Sequence, residues 1–185
     1  MDFKKDLLLI DLEFTGLDVG HHEIIQLAAV LLDKKTLKEK NFFNSYIKPL
    51  HWAKRDKESM KVNRIGWDLV KNAPGLRKVI RDFNRFFGHN VVLSYYGGPM
   101  DMDFMRAAYR KCNIAWKFDY HFFNLWALFY GLLALKNKLK NKSRFTGFTL
   151  DEIMKTFNIK SSNRHDALED CRIEAEILRK IMEKI

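Results

Sequence analysis

Two carboxylates at the end of an apolar run constrain the fold of this chain more than any other feature of its sequence. Residues 7–16, LLLIDLEFTG, are typical of a buried strand that ends at a turn, and they include Asp11 and Glu13. Side chains two positions apart on a strand project from the same face. Because like charges held so close need a compensating cation, the pair indicates half of a Mg²⁺ or Mn²⁺ site. An isolated Asp-x-Glu is more often a strand end that reaches solvent, so the other half must come from elsewhere in the chain.

The order of the predicted strands favours an α/β fold. Apolar runs at 24–32 and 42–47 follow the first strand directly, so the first three strands are predicted to be antiparallel. The tract 51–72 carries many Lys and Arg residues and few periodic apolar ones. A fourth strand is predicted at 90–94.

Helices are predicted after Pro74, from Met100 and over 123–135. The last of these is apolar nearly all round and is therefore expected to be deeply packed. Thr149 and Glu152 match the capping box of a further short helix. The chain ends in an amphipathic helix, and its predicted buried stripe is Ala167, Leu168, Cys171, Ala175, Leu178 and Met182.

Composition limits the partners and the compartment. The 185 residues are 47% hydrophobic, which suffices for a single domain over residues 1–185. A net charge of +10 favours a polyanionic partner, nucleic acid first and an acidic membrane surface second. Two cysteines make no disulfide framework or metal motif, which favours a reducing compartment. The N-terminus lacks the shape of a signal peptide, and the run 122–135 is too short to span a membrane, so we expect a cytoplasmic protein.

Further candidate ligands occur far along the chain. Asp101 lies in the first turn of a predicted helix, where the helix dipole favours a carboxylate even without a functional role. His165 precedes the last helix, and Asp170 lies beside the buried stripe of that helix. Each of these residues has an ordinary structural explanation when taken alone, and only their combination with Asp11 and Glu13 indicates a site.

Together these residues resemble the three motifs of the DEDDh family, the ribonuclease H-like 3′→5′ exonucleases. That family includes the proofreading subunit of the bacterial replicative polymerase, ribonuclease T and oligoribonuclease. The resemblance covers nearly the whole chain and implies a mixed central sheet flanked by helices. The matching motifs are Asp11-x-Glu13 with Thr15-Gly16, Asp101-x-x-Phe104-Met105, and His165-x-Ala167-x-x-Asp170.

The resemblance also implies a role for each residue. Asp11, Glu13, Asp101 and Asp170 would hold two divalent cations, Mg²⁺ or Mn²⁺. The reaction catalysed at this two-metal site would be hydrolysis of a phosphodiester. His165 matches the general base that takes the proton of the attacking water, a task suited to a group with a pKa near neutrality. The candidate positions for binding the terminal nucleotide are Phe14, Thr15, Gly16, Leu17, Tyr96 and Phe104.

Some features near these motifs leave alternatives open. Many relatives have His-Asn where this chain has Tyr96-Gly97, and the chain also inserts Gly98-Pro99. The nucleotide pocket is therefore expected to differ, with Tyr95 or Tyr96 stacking on a base. Asp103 lacks the family spacing, and Asp166 either assists or caps its helix. The basic connector, residues 136–144, is either a solvated loop or a contact for the phosphate backbone.

Three functions are compatible with these residues. A 3′→5′ exonuclease that releases nucleoside monophosphates from single-stranded DNA is favoured, because the segment from His165 to Asp170 is similar to the proofreading branch. The first alternative is an exoribonuclease that trims short RNA or RNA 3′ ends. The second is a non-catalytic nucleic-acid-binding module, which is disfavoured because every ligand and the base are present. A polymerase partner or a homodimer cannot be recognised from the sequence.

Overall fold

A five-stranded mixed sheet lies at the centre of the molecule, with the first strand in its middle. The structure, a computed structural model, describes residues 2–136, 148–161 and 164–183. The strands are β1 (Leu7–Phe14), β2 (Ile24–Leu32), β3 (Glu39–Tyr46), β4 (Val92–Tyr95) and β5 (Phe123–Asn124), in the order β3-β2-β1-β4-β5. The first three strands are antiparallel, as predicted, whereas β4 runs parallel to β1 and β5 parallel to β4.

Helices cover both faces of this sheet. In the described part of the chain they are α1 (Lys57–Asn63), α2 (Trp67–Val70), α3 (Leu76–Phe87), α4 (Met100–Lys111), α5 (Leu125–Leu135), α6 (Leu150–Phe157) and α7 (Ala167–Met182), with a 3-10 turn at Trp52–Lys54. The tract 51–72, for which the sequence predicts no element, contains α1 and α2. One prediction is corrected here. The helix predicted over 123–135 starts at Leu125, because Phe123–Asn124 pairs with β4 and the Asn124 side chain caps the helix.

The depth of α5 also differs from the prediction. Leu125 and Phe129 are its fully buried residues, while Leu135 is 85% exposed. None of the helices within the described residues is long and apolar enough to cross a membrane. The predicted capping box of α6 is present, with Thr149 and Glu152 bonding reciprocally. All but the first residue of the basic connector at 136–144 lies outside the described residues.

Successive side chains of β1 point alternately into two hydrophobic layers, one on each face of the sheet. Leu8, Ile10 and Leu12 pack with α3 and α4, whereas Leu7 and Leu9 pack with α7. Since side chains alternate between the faces of a strand, Asp11 and Glu13 belong to the α7 face. The metal-ligand candidates of β1 therefore meet the helix that carries the last motif.

Candidate active site

The end of β1 and the first turn of α7 bring the sequence-predicted acids together. Glu13, His165 and Asp170 each offer a ligand atom, and these atoms lie within 4.8 Å of one another. Asp170 is 5% exposed, and its carboxylate accepts a hydrogen bond from the backbone N–H of His165 at 3.3 Å. His165 has φ of 66°, a left-handed turn that leads the chain into α7. The turn thus holds the predicted base beside two predicted ligands.

Asp101 reaches the same site from α4, the helix that follows β4, and β4 lies beside β1 on the side away from β2. β4 pairs with β1 only along Leu7–Leu9, and beyond that point the backbone N–H of Leu12 hydrogen-bonds the Asp101 carboxylate. Burial nevertheless raises the pKa of Asp101 to about 7, because the hydrogen bonds offset only part of the desolvation. Asp101, in the first turn of α4, is therefore hydrogen-bonded to the strand that carries Asp11 and Glu13.

The electrostatics of the site are those of an acidic cluster without enough positive charge. Burial, followed by the charges of Asp170 and Asp101, raises the pKa of Glu13 to about 8. Burial and then the charges of Asp101 and Glu174 raise the pKa of Asp11 well above its ordinary value. Such a cluster holds protons at neutral pH unless a cation replaces them.

Glu174 is an acidic residue of this cluster that sequence reasoning missed. It lies one turn after Asp170 on α7, is 1% exposed, and its Oε2 has no hydrogen-bond partner among the described residues. Burial and then the charge of Asp101 raise its pKa well above the ordinary value. The available signal was its position four residues after Asp170, which puts both side chains on one face of the helix.

Arg164 is the second residue that the sequence did not single out. Its guanidinium forms ion pairs with Asp170 and with Asp151, the latter at 2.7 Å. The same guanidinium lowers the pKa of Glu13, although burial and the neighbouring acids outweigh that effect. Arg164 is therefore a partial counter-charge to the cluster.

The residues predicted to bind the terminal nucleotide surround the end of β1. Phe14 and Phe104 stack with ring centroids 4.0 Å apart. Thr15 is buried, and its hydroxyl accepts a hydrogen bond from the backbone N–H of Glu23 at 2.9 Å. Leu17 is 63% exposed, as expected of a side chain that would meet a base. Phe14 and Phe104 belong to the α3–α4 face of the sheet, opposite to the carboxylates.

Close packing fixes the loop that follows β1. A Cβ on Gly16 would lie 2.4 Å from the His22 ring, so only glycine fits there without displacing that ring. The carbonyl of Thr15 accepts from the backbone N–H of Asp56 at 2.6 Å, and the Asn63 amide donates to the carbonyl of Phe14 at 2.9 Å. The segment 51–63 thus braces the loop from outside.

Tyr96 lies apart from the other candidate nucleotide contacts. Its ring packs on the α7 side of the sheet, and its hydroxyl donates to the Phe148 carbonyl. Asp166 caps α7 by accepting from the backbone N–H of Glu169, which favours the capping alternative. Asp103 is exposed on the opposite side of α4 from the buried residues.

The donor set fits divalent cations. Carboxylate oxygens are the ligands that Mg²⁺ and Mn²⁺ prefer, and the site offers several of them together with an orphaned buried oxygen on Glu174. Deprotonating this cluster without a cation is unfavourable, as the raised pKa values of Glu13 and Asp101 indicate. A bound cation would remove that penalty.

Comparisons with known proteins agree with this geometry. The family model described as Exonuclease (RNase T) matches residues 8–178. The DNA polymerase III subunit epsilon of Aquifex aeolicus is 29% identical over 178 residues, which are 96% of this chain and 81% of that protein. The PolC-type DNA polymerase III of Bacillus subtilis is 25% identical over 179 residues, and the chain spans only 12% of its length.

Solved structures share the fold at low identity. The complex of Escherichia coli exonuclease I with single-stranded DNA has a TM-score of 0.84 at 17% identity, covering 98% of this chain and 41% of that one. The nuclease domain of 3′hExo, a DEDDh family member bound to rAMP, has a TM-score of 0.76 at 18% identity, covering 100% of this chain and 95% of that one. The mixed sheet with flanking helices is therefore the fold of these nucleases.

Proposed function

We propose that this chain, which belongs to the exonuclease (RNase T) family, is a metal-dependent 3′→5′ exonuclease of the DEDDh type that releases nucleoside monophosphates. The observation that carries the proposal is the convergence of Glu13, His165 and Asp170, from two distant parts of the chain, within 4.8 Å. The presence of every ligand and of the base argues against a non-catalytic binding module.

Asp11, Glu13, Asp101 and Asp170 would hold two divalent cations, Mg²⁺ or Mn²⁺. The chemistry that such cations supply when bound is activation of water and stabilisation of the charge on the phosphate and the leaving oxygen. The carboxylates contribute by staying fixed: Asp101 through the Leu12 N–H and Asp170 through the His165 N–H. A preorganised ligand set needs little rearrangement during the reaction.

His165 would accept the proton of the attacking water at a ring nitrogen. It occupies the turn before α7, next to Glu13 and Asp170, so its ring is close to the ligands without belonging to the buried core. A neutral imidazole has a ring nitrogen that can accept a proton and release it within each turnover.

The stretch Phe14–Leu17 would hold the 3′ end. The Phe14–Phe104 pair offers an apolar surface against the terminal base, and the exposed Leu17 side chain would separate that base from the next one. Backbone groups around Thr15 are already braced by Asp56, so the loop is positioned before substrate arrives.

Single-stranded DNA is the proposed substrate. The similarity to the Aquifex aeolicus polymerase III subunit over 96% of this chain supports DNA, and it makes a polymerase a candidate partner. An exoribonuclease is the alternative, supported by the match to 3′hExo bound to rAMP. The net charge of +10 is compatible with either polymer.

The test is hydrolysis of 5′-labelled single-stranded DNA and RNA oligomers with Mg²⁺ or Mn²⁺ and then with a chelator. We expect stepwise shortening from the 3′ end with release of mononucleotides, faster on DNA, and none with chelator. If mononucleotides are released from neither polymer, the proposed exonuclease activity is refuted. A faster rate on RNA than on DNA would support the exoribonuclease alternative.

A further inference from the structure

A basic groove lies on the face of the sheet opposite to the carboxylates. It has a volume of about 750 Å³ and runs between α3, α4 and the ends of β2 and β3 at Ile24 and Ile47, within the ~300–1,000 Å³ range of ligand-binding clefts. Its floor is apolar, formed by side chains such as Leu76 and Ala108. The cations along it are Lys48, Arg77, Lys78, Arg81, Arg85 and Lys111.

The positive charge of this groove is only partly compensated within the protein. Two acids line it as well: Glu23 accepts hydrogen bonds from the backbone N–H groups of Leu50 and His51, and Asp82 pairs with two of the groove's own cations, Lys78 and Arg85. Lys48, Arg77, Arg81 and Lys111 form no ion pair within the part of the chain that the structure describes. Exposed positive charges around one cavity attract an extended anion and repel a cationic ligand.

The groove begins at the residues proposed to hold the 3′ end. Phe104, which stacks on Phe14, forms part of its wall. His22, which packs against Gly16, forms another part. An anion that extends from the end of β1 on this face of the sheet therefore passes directly into the groove.

We propose that this groove binds the sugar–phosphate backbone of the nucleic-acid strand upstream of the 3′ end, an inference that rests on the proposed function. The arginines and lysines neutralise phosphates, and the apolar floor receives unstacked bases. Affinity should then increase with strand length beyond the nucleotides that the end of β1 can contact.

Equilibrium binding tests this groove without requiring turnover. The change is the double substitution Arg77→Ala and Arg81→Ala, two exposed positions on α3. Fluorescence anisotropy with Ca²⁺ in place of Mg²⁺ measures binding of 5′-labelled dT12 and dT2 over a range of salt. We expect dT12 to bind about tenfold more weakly and its salt slope to fall by about 1.4, which corresponds to two single-strand phosphate contacts. Binding of dT2 should not change.

The matched control is Lys35→Ala with Lys38→Ala, which removes the same charge at the other end of β2 and β3. An equal loss of dT12 affinity in this control, or unchanged dT12 binding by the arginine variant, would refute the proposal that the groove binds the strand. Tighter competition by an oligoglutamate peptide than by dT12 would instead assign the groove to an acidic protein partner. Hydrolysis of dT2 is assayed separately, because its absence would refute the proposed function and not the groove.

Glu174 carries a second, independent inference. It is 1% exposed, its Oε2 has no hydrogen-bond partner among the described residues, and it lies one helical turn from Asp170, near Asp11 and Asp101. A buried carboxylate without a partner is strongly unfavourable unless a cation compensates it. With Glu174 the cluster has five carboxylates, and Arg164 reduces its charge to four negative charges, which two divalent cations balance.

We infer that Glu174 is a fifth carboxylate of the metal centre, binding a cation directly or through its water ligand. The inference rests on the proposed metal site but not on nuclease activity. Mn²⁺ affinity, measured by calorimetry and by electron paramagnetic resonance, should fall about 10–100-fold in Glu174→Gln, the loss typical of removing a group that supports a metal. The metal-free variant should remain folded with a melting temperature at or above that of the wild type, because Gln keeps the shape of the side chain and needs no proton to be buried.

The control for this test is Glu176→Gln on the same helix, where the side chain is partly exposed and pairs with Lys180. Its Mn²⁺ affinity should stay within twofold of the wild-type value. Unchanged Mn²⁺ affinity in Glu174→Gln, together with a higher melting temperature, would show that Glu174 is a buried acid with no role in metal binding. Glu174→Ala provides a second variant, and it should weaken Mn²⁺ binding at least as much.

Discussion

The acidic cluster predicts that the metal-free protein loses stability as the pH rises from about 4.5 to 8. Burial and the neighbouring acids raise the pKa of Glu13 from 4.5 to about 8 in the folded state. The folded protein therefore binds more protons at Glu13 than the unfolded chain does between these two values. Stability falls wherever the folded state binds more protons, so the loss begins near pH 4.5 and is complete above pH 8.

The magnitude follows from the pKa difference of about 3.5 between 4.5 and 8. At 1.36 kcal/mol for each pH unit, Glu13 alone would lower the free energy of unfolding by at most about 5 kcal/mol. Asp101 titrates in the same range, and a proton taken up by either acid relieves the other. A net difference of roughly 3–5 kcal/mol between wild type and Glu13→Gln at pH 8 is therefore expected, with the variant more stable.

Urea unfolding followed by circular dichroism in the presence of a chelator measures this effect between pH 4.5 and 8.5. The two proteins should have similar stability near pH 4.5 and diverge steadily above it. Excess Mn²⁺ should reverse their order at pH 8, because bound cations stabilise the folded wild type more than a variant that lacks a ligand. A wild-type stability that is flat or increases across this range would refute the reasoning, as would an equal slope in Glu13→Gln.

Three further predictions concern the proposed reaction. Asp11→Asn should abolish mononucleotide release while circular dichroism and the melting profile remain native-like, and a near-normal rate would exclude Asp11 as a ligand. His165→Ala should lower kcat by about 10²–10⁴-fold with little effect on Mn²⁺ affinity, and a loss confined to KM in steady-state assays would contradict its role as base. Leu17→Ala should leave stability within about 0.5 kcal/mol, since the side chain is 63% exposed, but should raise KM for dT12; an unchanged KM would remove Leu17 from the nucleotide site.

The residues on regular elements were predictable because their spacing alone fixes where they point. Asp11 and Glu13 share a face of β1, and Asp170 lies beside the apolar stripe of α7. That these two elements meet is implied by the family resemblance and not by the spacing. The antiparallel start of the sheet follows from three consecutive apolar runs.

Other features depend on contacts between distant segments, which a local pattern does not contain. Glu174 resembles any polar residue of an amphipathic helix until α7 is packed on β1. The role of Arg164 as a counter-charge depends on its ion pairs with Asp151 and Asp170, which belong to two different helices. The strand Phe123–Asn124 exists because β4 offers an edge to pair with, although its sequence continues the apolar pattern of α5.

The alternation of β1 also bears on the size of the product. Its odd-numbered side chains face the carboxylate side and Phe14 faces the aromatic side, so one layer of sheet separates the two. In the proposed function the terminal nucleotide lies over the end of β1, with its base towards Phe14 and its phosphodiester towards the carboxylates. The short distance between consecutive residues of one strand then fixes the spacing of held base and cleaved bond, and the bond that this spacing selects is the one next to the terminal nucleotide.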